Sequence, residues 1–382
     1  MLVSELNRDV SPAAAGEFKT LRIGPHRLGT PVVLAPMAGV TNAPFRVLCR
    51  RFGEALYVSE MLTARGLVEG NRRTLALARF HPTESPRSLQ LYGTDPRYLA
   101  DAARLLVAEH GVEHLDLNLG CPVRKVTSSG GGAAIPLRPR LLRQLVRALI
   151  DGAGKVPATV KMRMGLDEAH LTFLEAGRIV EAEGAVAVGL HARTAAQLYD
   201  GPADWNAIGE LQAALSVPVL GNGDLWEAHD ALRMMRTTGC AGVIVGRGCL
   251  GRPWLFRELE ALFAGHNPPP PPCFGEVADI VVEHARALID FFGPDIGIYQ
   301  MRKHATWYTK SFAGGSKLRP LLTQATTIDE LSHALSTIPG DTPFPLEGLR
   351  ARRAKRSGRQ KVTLPDGWLA GDTVEEVDGV GG

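Results

Sequence analysis

Short apolar runs rich in Val, Leu, Ile and Ala recur along the first two thirds of the chain, each followed by a longer amphipathic stretch. The runs fall at residues 32–36, 56–59, 88–92, 114–119, 158–163, 186–191, 217–221 and 242–246. Their length suits buried strands. Between them, residues 96–110, 139–152, 168–184 and 225–238 carry apolar side chains at helical spacing. Pro96 and Pro139 open two of these stretches, where proline suits a first helical turn, and Gly184 and Gly239 follow the ends of two others. Strand and helix alternate every ~25–30 residues, which predicts a parallel sheet. Eight such units close an α/β (β/α)8 TIM barrel. An open doubly wound sheet is the competing arrangement. It would place Gly-x-Gly-x-x-Gly after its first strand, and Pro36-Met37-Ala38-Gly39-Val40-Thr41 does not supply it.

The pattern changes at the proline run 268–272, within a linker at residues 266–274. Residues 1–265 therefore form the barrel domain, and residues 275–345 a small helical domain. Its helices are expected at 276–292 and 298–312, with a third opened by Thr326 or Thr327. The tail, residues 346–382, is basic up to Lys361 and then acidic and glycine-rich, and it is expected to be disordered.

Composition narrows the class. The 382 residues are 45% hydrophobic and 22% charged, enough to bury a large core and too apolar for a disordered chain. No apolar run approaches the ~18 residues of a membrane span, and residues 1–20 lack a basic-then-apolar leader. A soluble, cytoplasmic protein with no membrane association is expected. Cys49, Cys121, Cys240, Cys249 and Cys273 are odd in number and show no metal-ligand spacing, so neither a disulfide framework nor a metal site is expected. A net charge of +3 decides nothing by itself.

In a parallel barrel, chemistry sits at the C-terminal ends of the strands. Polar residues gather there: Gln90 and Tyr92, Asn118 and Cys121, Lys161 and Arg163, His191 and Arg193, Asn222-Gly223-Asp224, and Gly246-Arg247-Gly248. The last two groups bare backbone N–H groups and add a guanidinium, which suits a phosphate-bearing cofactor. With a flavin there, Lys161 would sit where a cation stabilises the reduced ring. Met37 would pack beside it or simply fill core. The pattern alone identifies a phosphate site with a lysine near it. Cys121 sits in a long glycine-rich connection between the fourth and fifth strands, read as an exposed loop and a candidate mobile lid. Its thiol would donate a proton, or ionise beside Arg124 and Lys125. In the helical domain Arg302, Lys303, Lys310, Lys317 and Arg319, near Trp307 and Tyr308, form either a phosphate-gripping surface or a solvated face.

Taken in order, Ala35-Pro36-Met37-Ala38-Gly39-Val40-Thr41-Asn42, Gln90-Leu91-Tyr92-Gly93, Leu117-Asn118-Leu119-Gly120-Cys121-Pro122, Val160-Lys161-Met162-Arg163, His191-Ala192-Arg193-Thr194, Gly221-Asn222-Gly223-Asp224 and Gly246-Arg247-Gly248 resemble the tRNA-dihydrouridine synthases. Met301-Arg302-Lys303-His304 is similar to the bacterial B-type branch. The resemblance runs from about residue 22 to residue 335. It implies an FMN enzyme that reduces the C5–C6 double bond of particular uridines in tRNA, with NADPH as reductant; the oligomeric state is left open by the sequence, a monomer being expected. By the same resemblance, Pro36, Met37, Ala38, Gln90, Lys161, Asn222, Gly223, Asp224, Gly246 and Arg247 would contact FMN. Cys121 would be the general acid, and Asn118, His191, Arg193, Arg302 and Lys303 would meet the substrate. Thr127-Ser128-Ser129 followed by three glycines departs from the basic segment and single glycine common in relatives, which bears on loop mobility rather than on the chemistry. A small-molecule flavin oxidoreductase of the dihydroorotate or dihydropyrimidine type is the alternative; it would not need the basic helical domain.

Overall fold

The computed structural model describes residues 4–353 and 358–370. Two short antiparallel strands, β1 (Leu21–Ile23) and β2 (His26–Leu28), precede eight parallel ones. These are β3 (Val32–Leu34), β4 (Leu56–Thr63), β5 (Ser88–Tyr92), β6 (His114–Leu119), β7 (Ala158–Arg163), β8 (Val188–His191), β9 (Val219–Asn222) and β10 (Gly242–Val245). They pair in sequence order, and β10 closes onto β3. The protein is a TIM barrel, as the alternation predicts.

The two-residue period of a strand sorts side chains to two sides. Leu115, Leu117, Leu119, Val160, Met162, Leu190 and Val245 join the surrounding helices in one apolar core. Residues of the other parity face the lumen. At the N-terminal end the lumen is sealed by Val33, Val58, Leu220 and Ile244 together with Leu21, Ile23 and Leu28 of the β1–β2 hairpin. On the β5–β7 side it is polar instead. Ser88 Oγ pairs with His114 Nδ1 at 2.7 Å, His114 Nε2 with Thr159 Oγ1 at 3.0 Å, and Thr159 Oγ1 donates to Asp116 Oδ1 at 2.6 Å. Gln90 Nε2 donates to the other oxygen of Asp116 at 2.6 Å, and Asn118 Nδ2 donates to Gln90 Oε1 at 2.8 Å. Each buried polar group in this ladder is satisfied by the next, which is what permits it inside a barrel.

Among the described residues four α-helices follow the linker: Phe274–Phe292, Pro294–Tyr308, Gly315–Gln324 and Ile328–Leu335. Their core includes Val277, Met301, Phe312 and Leu322 and also takes in Leu48 and Trp254 of the barrel's helical layer, so the two parts share an apolar seam. Thr327 caps the last helix by accepting the backbone N–H of Glu330 at 3.1 Å, as expected. Gly315–Gln324 was not among the expected helices; Pro320 lies inside it.

The tail differs from its expected disorder in the residues described. Arg350 pairs with Glu227 and Asp230, and buried Arg353 donates to the carbonyls of Trp307 and Gly348. Residues 358–370 lie along the barrel rim, with Val362 and Leu364 against Ala133, Leu166 and Ala195. A basic composition did not prevent docking, because guanidinium groups can satisfy buried carbonyls while interspersed apolar side chains cover small residues. The remainder of the tail lies outside the described residues.

Candidate active site

Strand register brings the polar ends to one level. Asn118 stands opposite Lys161, His191 opposite both Arg163 and Asn222, and Asn222 opposite Ile244. Above them opens a cavity of about 470 Å³. Pro36, Met37, Ala38, Asn118, Cys121, Lys161, His191, Asn222, Gly223, Asp224, Gly246 and Arg247 line it, so twelve of the sixteen candidate residues face one space.

At the floor, Lys161 Nζ donates to Asn222 Oδ1 at 3.0 Å, and Asn222 Nδ2 donates to the Ile244 carbonyl at 2.7 Å. Burial, helped by the charge of Arg163, pushes Lys161 down to about 8, with Asp116 opposing. It carries its charge at neutral pH with little margin. His191 is held well below its ordinary value by burial and by Arg163, Lys161, Arg193 and Arg247, so it is a neutral imidazole.

At the rim, Arg247 lies 4.1 Å from the ring centroid of Tyr199 and 4.9 Å from that of Trp226. Stacking between two aromatic faces fixes a guanidinium with little loss of its outward donors. Asp224 lies 3.8 Å from it. The glycines on either side are required for close approach: a Cβ at Gly223 would fall 2.6 Å from the Cβ of Ala203, and one at Gly248 would fall 2.1 Å from the Leu225 carbonyl oxygen.

On the facing wall is Cys121. The thiol residue itself is only 9% exposed, whereas the loop that follows it is exposed at Val123, Arg124, Lys125, Ser128 and Ser129, as expected. Asn118 Oδ1 accepts the Cys121 backbone N–H at 2.9 Å, the Ala133 N–H donates to the Cys121 carbonyl at 3.1 Å, and Arg163 Nε holds the Gly120 carbonyl at 3.1 Å. Burial pushes the thiol upward against the weaker pull of the Val123 backbone and Arg163. Burial thus favours the thiol over the thiolate. The loop is also less lid-like than expected, forming a helical turn at Arg124–Thr127 and a 3-10 segment at Gly132–Leu137.

The other four candidates do not line the cavity. Gln90 is buried one layer below, clamped between Asp116 and Asn118. Arg193 is buried behind the rim, bound to both oxygens of Asp224 at 2.9 and 2.7 Å and to the Gly201 carbonyl at 2.6 Å. Lys303 donates to the Gly39 carbonyl, next to the Pro36-Met37-Ala38 segment. Arg302 Nε is engaged by the Ala325 carbonyl at 3.0 Å. Tyr308 is fully buried, so it is no part of an RNA-facing surface, whereas Lys317 and Arg319 are exposed. Tyr199, Trp226, Met61 and Leu250 line the cavity but were not foreseen. The first two are aromatics within eight residues of a polar strand end, which is the only signal the chain carries for them.

Among the described residues no group of three or more metal-ligating side chains occurs, and no helix is long and apolar enough to cross a membrane. In a solved structure of histamine dehydrogenase from Rhizobium sp. 4-9, 51% of that chain superimposes on 78% of this one, with a TM-score of 0.51 and 15% identity, a likeness of fold. The chain is 51% identical over 372 residues to a probable tRNA-dihydrouridine synthase of Mycobacterium tuberculosis H37Rv, covering 95% of this chain and 94% of that one. It is 39% identical over 303 residues to tRNA-dihydrouridine synthase B of Pseudomonas putida KT2440, covering 79% and 89%. The model of the family Dihydrouridine synthase (Dus) matches residues 33–340. That match spans the cysteine wall, the lysine floor and the arginine rim alike, and the chain belongs to the dihydrouridine synthase family.

Proposed function

We propose that the protein reduces the C5–C6 double bond of uridine in tRNA, with FMN as its cofactor, NADPH as reductant and Cys121 as the proton donor. The observation that carries the mechanism is the buried thiol of Cys121 on the wall of a cavity that also holds Lys161 and the stacked Arg247. The cavity lies within the ~300–1,000 Å³ common for ligand pockets. Its donor set fits a flavin mononucleotide: Arg247 with the backbone of Gly223, Asp224, Gly246 and Gly248 for the phosphate, Lys161 and Asn222 for the polar edge of the ring, and Met37 and Ala38 for its apolar face.

When bound, FMN supplies the hydride that reaches C6 of the uracil. The remaining steps belong to this chain's residues. Lys161 places positive charge where negative charge accumulates. Negative charge delocalised over uracil C5 and O4 is discharged when the Cys121 S–H bond breaks and its proton goes to C5, leaving a thiolate that solvent reprotonates. A positioned acid of this kind contributes ~10²- to 10⁴-fold. Asn118 holds Cys121 through the backbone while its amide nitrogen is committed to Gln90 below, and neutral His191 can hydrogen-bond without adding charge. The uridine must leave its stack to enter, at a cost of a few kcal/mol. Exposed Lys317 and Arg319 offer positive charge for the tRNA backbone, and Lys303 ties the helical part to the Gly39 turn. A tRNA substrate supports a cytoplasmic location, and a monomer is the simplest form of the enzyme.

The test is Cys121→Ala in the full chain. FMN content and NADPH-driven flavin reduction should persist, while dihydrouridine formation falls by ~10²-fold or more. Full turnover by that variant would remove the acid role. Turnover of a free pyrimidine at the rate seen with tRNA would instead favour a small-molecule oxidoreductase.

A further inference from the structure

Outside the span matched by the family, residues 358–370 run along the barrel rim and touch the cysteine loop at two points. Gln360 makes the first. Its Nε2 donates to the Pro122 carbonyl at 2.8 Å and to the Ala195 carbonyl at 3.2 Å, and its backbone N–H donates to the Ala196 carbonyl at 2.8 Å. One side chain thus joins the residue after Cys121 to the loop following β8. Trp368 makes the second. Its Nε1 donates to the Ala134 carbonyl at 2.9 Å, next to the residue whose N–H holds the Cys121 carbonyl. Its indole covers Gly130 so closely that a Cβ there would lie 2.4 Å from the ring. Arg138 stacks 5.0 Å from that ring and donates to the Gly367 carbonyl at 2.9 Å, which fixes the far end. Val362 and Leu364 fill the space between the two contacts.

The barrel holds Cys121 from within, through Asn118 and Arg163; these contacts hold the same loop from without. The two sets act on different ends of the segment, Asn118 on the Cys121 N–H and the tail on Pro122 and Ala134. We propose that residues 358–370 form a strap that positions the catalytic cysteine, with Gln360 and Trp368 as its positioning residues. The strap does not line the cavity, so it acts through the loop and not on the substrate. The proposal rests on Cys121 being the proton donor.

The experiment compares full-length, FMN-loaded wild type with Gln360→Ala, Trp368→Ala and the conservative Trp368→Phe. Two things are measured: single-turnover reoxidation of the flavin by tRNA, and the rate of Cys121 alkylation by iodoacetamide followed on the Cys121 peptide, since Cys273 is also accessible. The two alanine variants should lower the tRNA-dependent rate roughly ten-fold, the loss expected for about 1.4 kcal/mol of positioning, with the KM for tRNA and NADPH-driven flavin reduction unchanged. Alkylation should rise several-fold, and Trp368→Phe should recover part of both effects. Unchanged alkylation and reoxidation would overturn the proposal. So would a raised KM with unchanged kcat, which would make the segment a tRNA contact. If Cys121→Ala alone retains full turnover, the donor assignment fails, whereas the alkylation rate still reports whether the strap sets the thiol's position.

Discussion

The side-chain oxygen of Asn118 accepts the backbone N–H of Cys121 at 2.9 Å, and the same side chain's nitrogen donates to Gln90 Oε1. Asn118 is therefore the top rung of the buried ladder that descends through Gln90 and Asp116 to Thr159 and His114. Asp116 is wholly enclosed, and burial pushes its carboxyl upward against the donors Thr159 and Gln90. The cysteine's place over the cavity is set by polar groups deep in the lumen as well as by its own loop.

Asn118→Ala would leave the Cys121 N–H and the Gln90 carbonyl oxygen without their partner. The expected loss of stability is about 1–3 kcal/mol, the usual cost of orphaning buried polar groups, read by denaturant unfolding. Dihydrouridine formation should fall further than that loss of folded protein explains, because the proton donor is displaced. Activity that simply tracks the folded fraction would show that Asn118 supports the barrel and nothing more.

Arg247 is held between Tyr199 and Trp226 in the structure, oriented before any ligand arrives. Burial pushes it down only to about 10, so it is charged throughout the working range. Arg247→Met should raise the Kd for FMN roughly 10- to 100-fold, equivalent to losing one hydrogen bond to a charged group at about 1.5–3 kcal/mol, measured by fluorescence titration of the apoprotein. Trp226→Leu should weaken binding less, since the guanidinium stays but is less constrained. Equal FMN affinity in Arg247→Met and wild type would place the phosphate elsewhere.

What could be read in the chain follows from which interactions are local. All eight strands were visible because each is a short apolar run followed by an amphipathic stretch, and the polar strand ends converge because a barrel leaves them no alternative. Met61 was missed because β4 carries a register irregularity between Val58 and Met61, which breaks the alternation and prolongs the strand past Ser59. Gln90 was read as facing the cavity because its strand position permits it; only the three-dimensional partner Asp116 shows that it serves the layer below. The docked part of the tail was misread because composition reports charge, not the destination of Arg353 on Trp307, 46 residues away, or of Trp368 on Ala134, 234 residues away.

Lys161 titrates close to the working range, with its value pushed down to about 8 chiefly by burial. Below that pH the ammonium is present at the cavity floor; above it the charge is lost. The tRNA-dependent rate should therefore fall as pH rises through about 8. The Cys121 thiol is raised above its ordinary value, so its ionisation comes later and produces a second, higher limb. Lys161→Arg should abolish the first limb and leave the second, since a guanidinium does not titrate there. A descending limb near 8 that survives in Lys161→Arg would assign it to another group.

The seam between barrel and helical part holds two buried imidazoles, His284 and His304, with ring centroids 4.6 Å apart. Neither ring nitrogen of His304 has a hydrogen-bond partner, and Phe45 of the barrel's helical layer lies 5.7 Å from its ring. Burial pushes His284 down to about 3, aided by Lys303, and holds His304 well below the ordinary range, aided by His284 and Lys303. Both are neutral when folded, whereas in the unfolded chain each takes up a proton near pH 6.5. Between that value and the depressed folded ones the unfolded state binds more protons, so stability rises with pH through this window and is lost as pH falls from about 6.5 toward 3. Thermal midpoints should accordingly drop between pH 7 and pH 5. His304→Met, which fills similar space without an ionisable ring, should flatten that slope while keeping or raising stability at pH 7. An acid slope of undiminished steepness in His304→Met would show that the loss arises elsewhere, with His114 of the barrel ladder, also neutral and pushed down to about 3 by burial, as the next group to replace.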